Sequence, residues 1–369
     1  MTEYTTLGNL ISPAKVIRCG NGSYPVLSMT MHDGIVLQSD RFKKSLASAD
    51  QSDYKVVKYG QLVVGFPIDE GVLYIQKATD EGIMSPAYNV WDVDTLKVEA
   101  DYLELCLHSP QAMQYYCDKL RGSTARRRSI PTAELLALPI RLPTLEEQRE
   151  KLKMMAKMNA LIKDREQQLD LADQLVKSRF IEMFGDYDLA HPESDWKPIA
   201  EIGKVVGGST PKTNVNEYWD GEYRWITPAE LEADSGYIYD SVRKLTKAGV
   251  NSCSLQEMPI HTVILTSRAP IGKVAIAGAT FYCNQGFKNI ICKDEIVPRY
   301  LYTLLLLNTE YLNSLGRGAT FKEISKSIVE NIRIPVPSLE NQTQFTTFVE
   351  QIDKSKYHGE ITCEMEVAA

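Results

Sequence analysis

Apolar residues recur over residues 145–186 with the spacing of an amphipathic helix. The predicted apolar seam contains Leu152, Met155, Ile162, Leu169 and Val176, which are three or seven positions apart. Lys, Glu, Arg, Gln and Asp occupy most of the intervening positions, as on the exposed face of a coiled-coil helix. The pattern therefore predicts one long helix over residues 145–186, and about 40 residues would form a rod of roughly 60 Å.

A second and shorter apolar seam lies over residues 338–358. It contains Phe345, Phe348 and Ile352, again with polar residues between them. The matching seams predict that the two helices pack against each other as antiparallel partners. Gly359 then interrupts the pattern, so residues 359–369 are predicted to form a flexible tail.

The two helices follow nearly identical segments, which read LPTLEEQ at residues 142–148 and VPSLENQ at residues 336–342. Such a repeat indicates that one domain occurs twice in the chain, because both copies should bury the same faces. Apolar positions upstream align at the same offset of 194 residues, as Leu138 does with Ile332 and Ile140 with Ile334.

Each repeated segment closes a region in which short strands precede an apolar helical stretch. We therefore predict an α+β fold, in which two pseudo-repeated mixed α/β domains are separated by two long antiparallel coiled-coil-like helices. The predicted domains are residues 1–144 and 187–337. With 369 residues, of which 44% are hydrophobic, the chain is long enough to bury two such cores.

The net charge of −7 at first argues against a nucleic-acid partner. Over half of it comes from residues 338–369, which carry two Lys and six Asp or Glu. The predicted domains are close to neutral, and their basic groups can still lie on one face. The seven cysteines form no CxxC pair and no apolar run is long enough for a bilayer, so we expect a cytoplasmic protein without membrane contact.

Motifs that are typical of enzymes do not occur in the sequence. It has no GxxxxGK[ST] segment for a nucleotide phosphate, no GxSxG and no HExxH, and its five histidines lack metal-ligand spacing. The cluster at residues 293–295 is expected to be a turn rather than a carboxylate nuclease site. We therefore predict no catalytic residue, no metal site and no cofactor in this chain.

Five segments together point to a known family. They are PTLEEQREKL, PSLENQTQF, GGSTPKTNVNEYWDGEYRWITPAEL (207–231), VILTSRAPIGKVAIAG (263–278) and NQGFKNI (284–290). With the duplicated domain, they resemble the DNA-specificity subunit of type I restriction–modification systems. Residues 1–144 match less well, because they have Pro13-Ala14-Lys15 in place of GGSTPK.

The resemblance implies a non-catalytic subunit whose two target-recognition domains each read one half of a split duplex DNA target. It also implies that the helices set the spacing and dock two adenine methyltransferase subunits, and that two ATP-driven restriction subunits join for cleavage. S-adenosylmethionine, ATP and Mg²⁺ would then be bound by those partners. Half-sites on one face of DNA lie roughly 34–36 Å apart, which is within the length of the predicted rod.

Basic and polar residues of the first domain are candidates for DNA contact. They are Arg126, Arg127 and Arg128, together with Thr124 and Lys15. The arginines lie in a loop between two apolar segments, where the second domain has Thr320 and Lys322. Arginine there suits a phosphate or a guanine, and the alternative is a solvated basic turn.

The second domain contributes a larger set of candidates. They are Ser209, Thr210, Lys212, Arg268, Lys273, Asn284, Gln285 and Lys288. Residues 207–212 offer backbone N–H groups, hydroxyls and a cation that suit a phosphate, and Asn284 and Gln285 carry amides that can read adenine. The alternatives are a plain surface turn, an ion pair between Arg268 and a carboxylate, and amides that cap a turn before Gly286.

Two other functions remain open from the sequence. One is a protein-binding scaffold that derives from this family and has lost DNA binding, which the near-neutral domains allow. The other is a single-chain DNA-modifying enzyme, which would require a catalytic motif. A steep salt dependence of DNA binding would count against the scaffold, and an isolated chain that is inert on DNA would count against the enzyme.

Overall fold

The computed structural model describes residues 3–41, 50–120, 128–232, 236–268, 270–318 and 322–368. The chain divides into two compact units, Met1–Ile162 (unit 1) and Lys163–Ala369 (unit 2). Each unit combines helices with mainly antiparallel strands, so the fold is α+β, as predicted.

The described residues of unit 1 form ten short strands. They are β1 (Glu3–Thr6), β2 (Ile11–Pro13), β3 (Leu27–Met29), β4 (Ile35–Leu37), β5 (Lys55–Lys58), β6 (Leu62–Val64), β7 (Leu73–Ile75), β8 (Glu81–Met84), β9 (Asn89–Val93) and β10 (Pro139–Leu142). Its helices are α1 (Gln38–Arg41), α2 (Ala100–Leu107), α3 (Pro110–Lys119), α4 (Thr132–Leu136) and the first part of α5 (Leu145–Phe184). The boundary between the two units falls inside α5.

Unit 2 also combines short strands with helices. Its strands are β11 (Lys197–Pro198), β12 (Gly203–Val206), β13 (Trp219–Ile226), β14 (Tyr237–Ile238), β15 (Arg243–Leu245), β16 (Val263–Ser267), β17 (Ile271–Ala277), β18 (Tyr282–Cys283), β19 (Asn289–Cys292) and β20 (Arg333–Ile334). Its other helices are α6 (Ile199–Ile202), α7 (Lys247–Asn251), α8 (Pro298–Leu307), α9 (Thr309–Ser314), α10 (Lys326–Asn331) and α11 (Leu339–Ala368).

The two units share one strand order. Unit 1 has a sheet of order β2-β9-β6-β7, and unit 2 has the same order in β12-β19-β16-β17, with β14 added in parallel at its edge. In both units the first strand pairs with the strand that precedes the long helix, as β1 does with β10 and β11 with β20. A separate sheet of order β15-β13-β18 lies in unit 2. The repeat that is visible in the sequence is therefore also a repeat of topology.

The glutamine that ends LPTLEEQ is fully buried in unit 1. The side-chain oxygen of Gln148 accepts a hydrogen bond from the Glu99 N–H group at 2.9 Å. Its amide nitrogen donates to the carbonyl oxygens of Pro143 at 2.8 Å and Lys97 at 3.3 Å. One side chain thus joins the start of α5 to the segment that leads into α2.

Gln342, which ends VPSLENQ, makes the same three contacts in unit 2. Its oxygen accepts from the Val297 N–H group at 2.8 Å, and its nitrogen donates to the carbonyls of Pro337 at 2.8 Å and Glu295 at 3.2 Å. It is also fully buried. We call Gln148 and Gln342 the glutamine clamps, because each holds the start of a long helix to the segment that leads into α2 or α8.

A tyrosine adds a matching contact beside each clamp. The Tyr102 hydroxyl in α2 donates to the Arg141 carbonyl at 3.2 Å, and the Tyr300 hydroxyl in α8 donates to the Pro335 carbonyl at 3.1 Å. Each tyrosine thereby ties its helix to the chain just before the clamp. Burial raises the pKa of both phenols, so both remain neutral donors near pH 7.

Hydroxyl side chains cap the starts of both long helices. The backbone N–H of Glu147 donates to the Thr144 hydroxyl at 3.3 Å, and the Glu147 carboxylate accepts from the Thr144 N–H at 2.8 Å, which completes a capping box. These hydrogen bonds lower the pKa of Glu147. At the second helix the Asn341 N–H donates to the Ser338 hydroxyl at 3.3 Å. The T-x-x-E spacing of Thr144 and Glu147 predicts the capping box at the first helix.

Within unit 2, the second part of α5 packs antiparallel to α11. Phe180 and Phe184 contact Phe345, with ring centroids 5.3 and 5.7 Å apart, and both also contact Tyr300 of α8. Nearer the other end of this contact, Lys356 pairs with Asp173. The aromatic side chains belong to the main core of unit 2, and Val176 and Phe348 pack against it.

The predicted seam is only partly buried. Leu152 packs against the core of unit 1, and Leu169 and Ile352 are half-buried. Met155 and Ile162 depart from the prediction, because their side chains remain 40% and 48% exposed. The described side-chain contacts between α5 and α11 involve residues of α5 from Arg165 onward. The apolar positions of the predicted seam begin earlier in α5, at Leu152.

The two long helices end differently from each other. α5 stops at Phe184, and Gly185 follows with a φ of +97°, a left-handed conformation that favours glycine. α11 instead continues to Ala368, which is ten residues beyond the predicted end at residue 358. One glycine inside a helix costs only about 1 kcal/mol relative to alanine, and the residues after Gly359 include good helix formers.

The glutamine clamps give a direct test of this architecture. Gln148→Ala and Gln342→Ala should each lower the free energy of unfolding by about 1–3 kcal/mol, because buried backbone groups lose their partners. Urea unfolding measures the change. The matched controls are Gln167→Ala in α5 and Gln344→Ala in α11, both at exposed positions. Equal effects for the clamps and the controls would show that the clamps do not hold the helices.

Candidate nucleic-acid interface

Several loops of unit 2 meet at one end of its main sheet. The Ser209 N–H, after β12, donates to the Cys283 carbonyl at 2.9 Å. The Ser267 N–H, at the end of β16, donates to the Gly286 carbonyl at 2.8 Å, and the Ser267 carbonyl accepts from the Ile324 N–H at 2.9 Å. These contacts join residues 207–212, 267–268, 283–288 and 322–324 into one polar surface, which we call the loop cluster.

Gly208 is the residue that lets two of these loops touch. A Cβ atom at this position would lie 2.0 Å from the Cys283 carbonyl oxygen and 2.5 Å from that of Asn284. No real Cβ atom approaches oxygen so closely, so any other residue would push the loops apart. The glycine pair in GGSTPK is thus explained by backbone contact as well as by the hydrogen bond of Ser209.

Polar side chains from two loops are joined in this cluster. The Thr210 hydroxyl donates to the Gln285 side-chain oxygen at 2.7 Å, so the two predicted DNA contacts lie side by side. The Asn284 side-chain oxygen accepts from the Gly286 N–H at 2.8 Å, which is the turn-capping role that the sequence left open. Gln285 is exposed and Asn284 is half-buried.

Two tryptophans support the glycine-rich loop from below. The indole N–H of Trp225 donates to the Ser209 carbonyl at 3.1 Å, and that of Trp219 donates to the Lys212 carbonyl at 3.2 Å. The rings are buried and meet edge to face, with centroids 5.2 Å apart. The guanidinium of Arg243 lies 3.5 Å from the Trp219 ring centroid. The tryptophans are therefore packing residues.

The basic residues of the cluster fall into two groups. Arg268 and Lys288 both face the Glu323 carboxylate, at 3.8 and 3.2 Å, and the Lys288 side chain is only 14% exposed. Lys212 and Lys322, by contrast, are exposed. The Lys273 ammonium donates to the Leu231 carbonyl, and the Lys273 backbone N–H donates to the Thr266 hydroxyl at 2.9 Å.

The thiol inside the cluster is not a nucleophile at neutral pH. Cys283 is buried, and that burial raises its pKa to about 12. The described residues also contain no group of three or more His, Cys, Asp or Glu side chains placed to hold a metal ion. In the same residues, every helix is too short or too polar to span a bilayer.

Residues 193–364 match the family model described as "Type I restriction modification DNA specificity domain". The chain is also 44% identical over 197 residues to the type I restriction enzyme MjaIX specificity subunit of Methanocaldococcus jannaschii, over 51% of this chain and 45% of that protein. The chain is therefore similar to type I restriction–modification specificity subunits over about half of its length. The loop cluster lies wholly within the matched residues.

Other relatives show the same similarity to type I specificity subunits. The EcoR124I/EcoR124II specificity subunit of Escherichia coli is 26% identical over 171 residues, which are 44% of this chain and 41% of that protein. The chain thus spans about half the length of the curated relatives that it matches. The type I S subunit from M. genitalium shares the fold, with a TM-score of 0.55, 13% identity and coverage of 100% and 94% of the two chains.

A second solved structure supports the same fold. It is reported under a title on complex assembly and conformational transition of the type I R-M system. Its matched chain has a TM-score of 0.56 and 17% identity, with 99% of this chain and 93% of that chain covered.

The candidate residues of unit 1 are placed less completely than those of unit 2. Lys15 is exposed, after β2. Arg128 pairs with Asp69 at 2.8 Å and also with Glu70, and the hydrogen bond to Asp69 is the main cause that raises its pKa. Thr124, Arg126 and Arg127, as well as Thr320 of unit 2, lie outside the described residues.

Sequence reasoning missed Glu323, which organises the basic part of the loop cluster. The segment KEIS was interpreted only through Lys322, because a cation beside a loop suggests phosphate binding. Glu323 also pairs with Arg317 through two backbone hydrogen bonds, of 3.0 and 3.1 Å. The alternative of an Arg268 ion pair pointed to such a carboxylate but did not identify it.

The Trp225 indole gives a test of how the glycine-rich loop is held. Trp225→Phe should raise the hydrogen-exchange rate of amides over residues 207–212 about fivefold, because a lost hydrogen bond is worth about 1 kcal/mol. Mass spectrometry of peptides measures the rate. The control is Trp91→Phe in unit 1, since among the described residues the buried Trp91 N–H has no hydrogen-bond partner. An unchanged rate in Trp225→Phe would exclude this support.

Proposed function

We propose that this chain is a non-catalytic DNA-specificity subunit of a type I restriction–modification complex. Each unit would read one half of a bipartite duplex target. The observation that carries the proposal is the loop cluster in residues 193–364, where Thr210, Gln285 and exposed Lys212 lie on one polar surface. Threonine and lysine suit phosphates, and glutamine suits the edge of adenine in the major groove.

The proposal includes two kinds of partner subunit. Two adenine methyltransferase subunits would dock on the long helices and supply S-adenosylmethionine, and two restriction subunits would supply ATP hydrolysis and Mg²⁺-dependent cleavage. The long helices would also set the distance between the half-sites. All of these proteins are expected to act in the cytoplasm.

An exposed apolar stripe on α5 supports methyltransferase docking. Within unit 2 it consists of Leu171 and Leu175, both of which are exposed. At 100° per residue, their directions differ by about 40° on an ideal helix. Exposed apolar side chains on one face of a helix are typical of a surface that binds another protein.

A scaffold without DNA binding is the second candidate function. It is favoured by one observation, which is that Arg128, Arg268 and Lys288 form ion pairs with carboxylates of this chain. A protein that reads DNA needs cations to neutralise phosphates. The exposed Lys212 and Lys322 are the described cations of the loop cluster that would have to serve.

Adenine methylation across a host genome tests the proposal. The host expresses this chain with the methyltransferase subunit of its own system, and the control strain lacks this chain. We expect a split methylated motif that appears only when the chain is present. If the complex assembles and no motif appears, the scaffold function is favoured and the DNA-specificity proposal fails.

A single variant refines the same assay. Gln285→Ala should weaken discrimination at one base pair of one half-site by about 1–3 kcal/mol, because one bidentate amide contact is lost. The matched control is Gln256→Ala, another exposed glutamine of unit 2. A motif that is unchanged in both variants would remove Gln285 from the proposed interface.

A further inference from the structure

In unit 2 an ion pair joins the end of the β16–β17 hairpin to the segment before α10. Arg268 lies between the two strands of the hairpin, and Glu323 lies three residues before α10. The Arg268 guanidinium and the Glu323 carboxylate are 3.8 Å apart, and Lys288 approaches the same carboxylate at 3.2 Å. Backbone pairing of Arg268 with Glu323 makes this junction close and antiparallel.

Unit 1 has an ion pair at the equivalent junction. The β6–β7 hairpin occupies the place of β16–β17 in the shared strand order. Asp69 and Glu70 lie between its strands, and both pair with Arg128, which lies four residues before α4. The Arg128 carbonyl also accepts a backbone hydrogen bond from the Ile68 N–H at 3.0 Å.

The two junctions have opposite polarity. In unit 1 the acids are on the hairpin and the base is on the following segment, whereas in unit 2 the base is on the hairpin and the acid is on the segment. A role in binding phosphate would place the cation on the same element in both units. Both units have an ion pair between the hairpin and the following segment. The units differ in which of the two elements carries the positive charge.

Partial burial strengthens the contacts of Lys288 and Asp69 relative to surface ion pairs, whereas the Arg268 and Glu323 side chains are 34% and 41% exposed. Lys288 is 14% exposed, and its ammonium also donates to the Ser267 hydroxyl at 3.2 Å. Without Glu323 this charge would lose its counter-ion at a site with little solvent. In unit 1 the Asp69 side chain is 15% exposed. Such pairs are screened less by salt than exposed pairs are.

We propose that Glu323 in unit 2, and Asp69 with Glu70 in unit 1, are positioning residues. Through their ion pairs they hold the hairpin end against the segment before the short helix, and so fix how the loops of each unit meet DNA. Arg268, Lys288 and Arg128 then belong to the framework of the interface, and phosphate contact falls to exposed cations such as Lys212. This inference rests on the proposed function.

Charge reversal tests the proposal in unit 2. Arg268→Glu and Glu323→Arg should each lower the methylation rate at the full target about tenfold, in the complex of the full chain with its methyltransferase. All of these proteins also carry Lys288→Gln, because Lys288 would otherwise face a second cation in the double variant. The double variant should then recover to within about threefold of Lys288→Gln alone, because the pair is restored with reversed polarity. Recovery is the decisive result, since a direct phosphate contact by Arg268 does not return when the cation moves to another element.

A matched control uses an exposed cation of the same surface. Lys212→Glu should also lower methylation, and adding Glu323→Arg should not rescue it, because Lys212 is not paired with Glu323. If the Arg268→Glu/Glu323→Arg protein stays as inactive as Arg268→Glu while Glu323→Arg alone remains active, then Arg268 contacts DNA directly and the proposal is overturned.

Hydrogen exchange separates this proposal from the proposed function. The Ile324 N–H donates to the Ser267 carbonyl across the junction, so its exchange should be faster in both single variants and restored in the double variant, without DNA. If exchange is restored in the double variant but the natural protein gives no methylation, the proposed junction is supported and the proposed DNA specificity is rejected. Unchanged exchange in the single variants would overturn the junction whatever the methylation shows.

Discussion

A buried glutamine at the start of each long helix is the contact on which the rest of each unit depends. The amide side chain of Gln148 or Gln342 offers one acceptor and two donor hydrogens, and backbone groups from two segments use them. A backbone group that is buried without a partner costs about as much as a lost hydrogen bond, so the three segments must come together or remain in water. The segment that leads into α2 in unit 1, or into α8 in unit 2, is placed by the same contact.

The repeat is visible in the sequence, but the hydrogen bonds of its glutamine are not. The offset of 194 residues, the long helix and the capping box were all visible, because apolar spacing and capping residues leave local signals. The glutamine was visible only as a repeated letter. Its partners are backbone groups about 45–50 positions earlier, near Lys97 and Glu295, and a backbone group has no signature in a sequence.

The loop cluster was predictable in composition and not in geometry. Residues 209–212, 268 and 284–288 were grouped as candidates, and the structure brings Thr210 and Gln285 within hydrogen-bond distance. Glu323 is not predictable from the sequence, because its role depends on Arg268 and Lys288. Only the folded sheet brings these residues close to it. The extent of α11 was also missed, since one glycine was given more weight than the helix-forming residues after it.

Both units therefore use one framework, with a clamp, a strand pair and a hairpin, and they differ in the side chains at the loops. Unit 2 carries Trp219 and Trp225 in an added sheet under its glycine-rich loop, and the equivalent place in unit 1 begins with Pro13 and Lys15. Such a division between framework and loops is how one fold serves different recognition tasks. Two different half-sites would follow directly from it.

Exchange of residues 1–144 tests this account most directly. A chimera would carry that region from a related specificity chain with a different target, and the methylated motif of the host genome would be sequenced. The account predicts that one half of the motif changes while the other half and its methylation remain. A change in both halves, or in neither half of a motif that is still methylated, would contradict it.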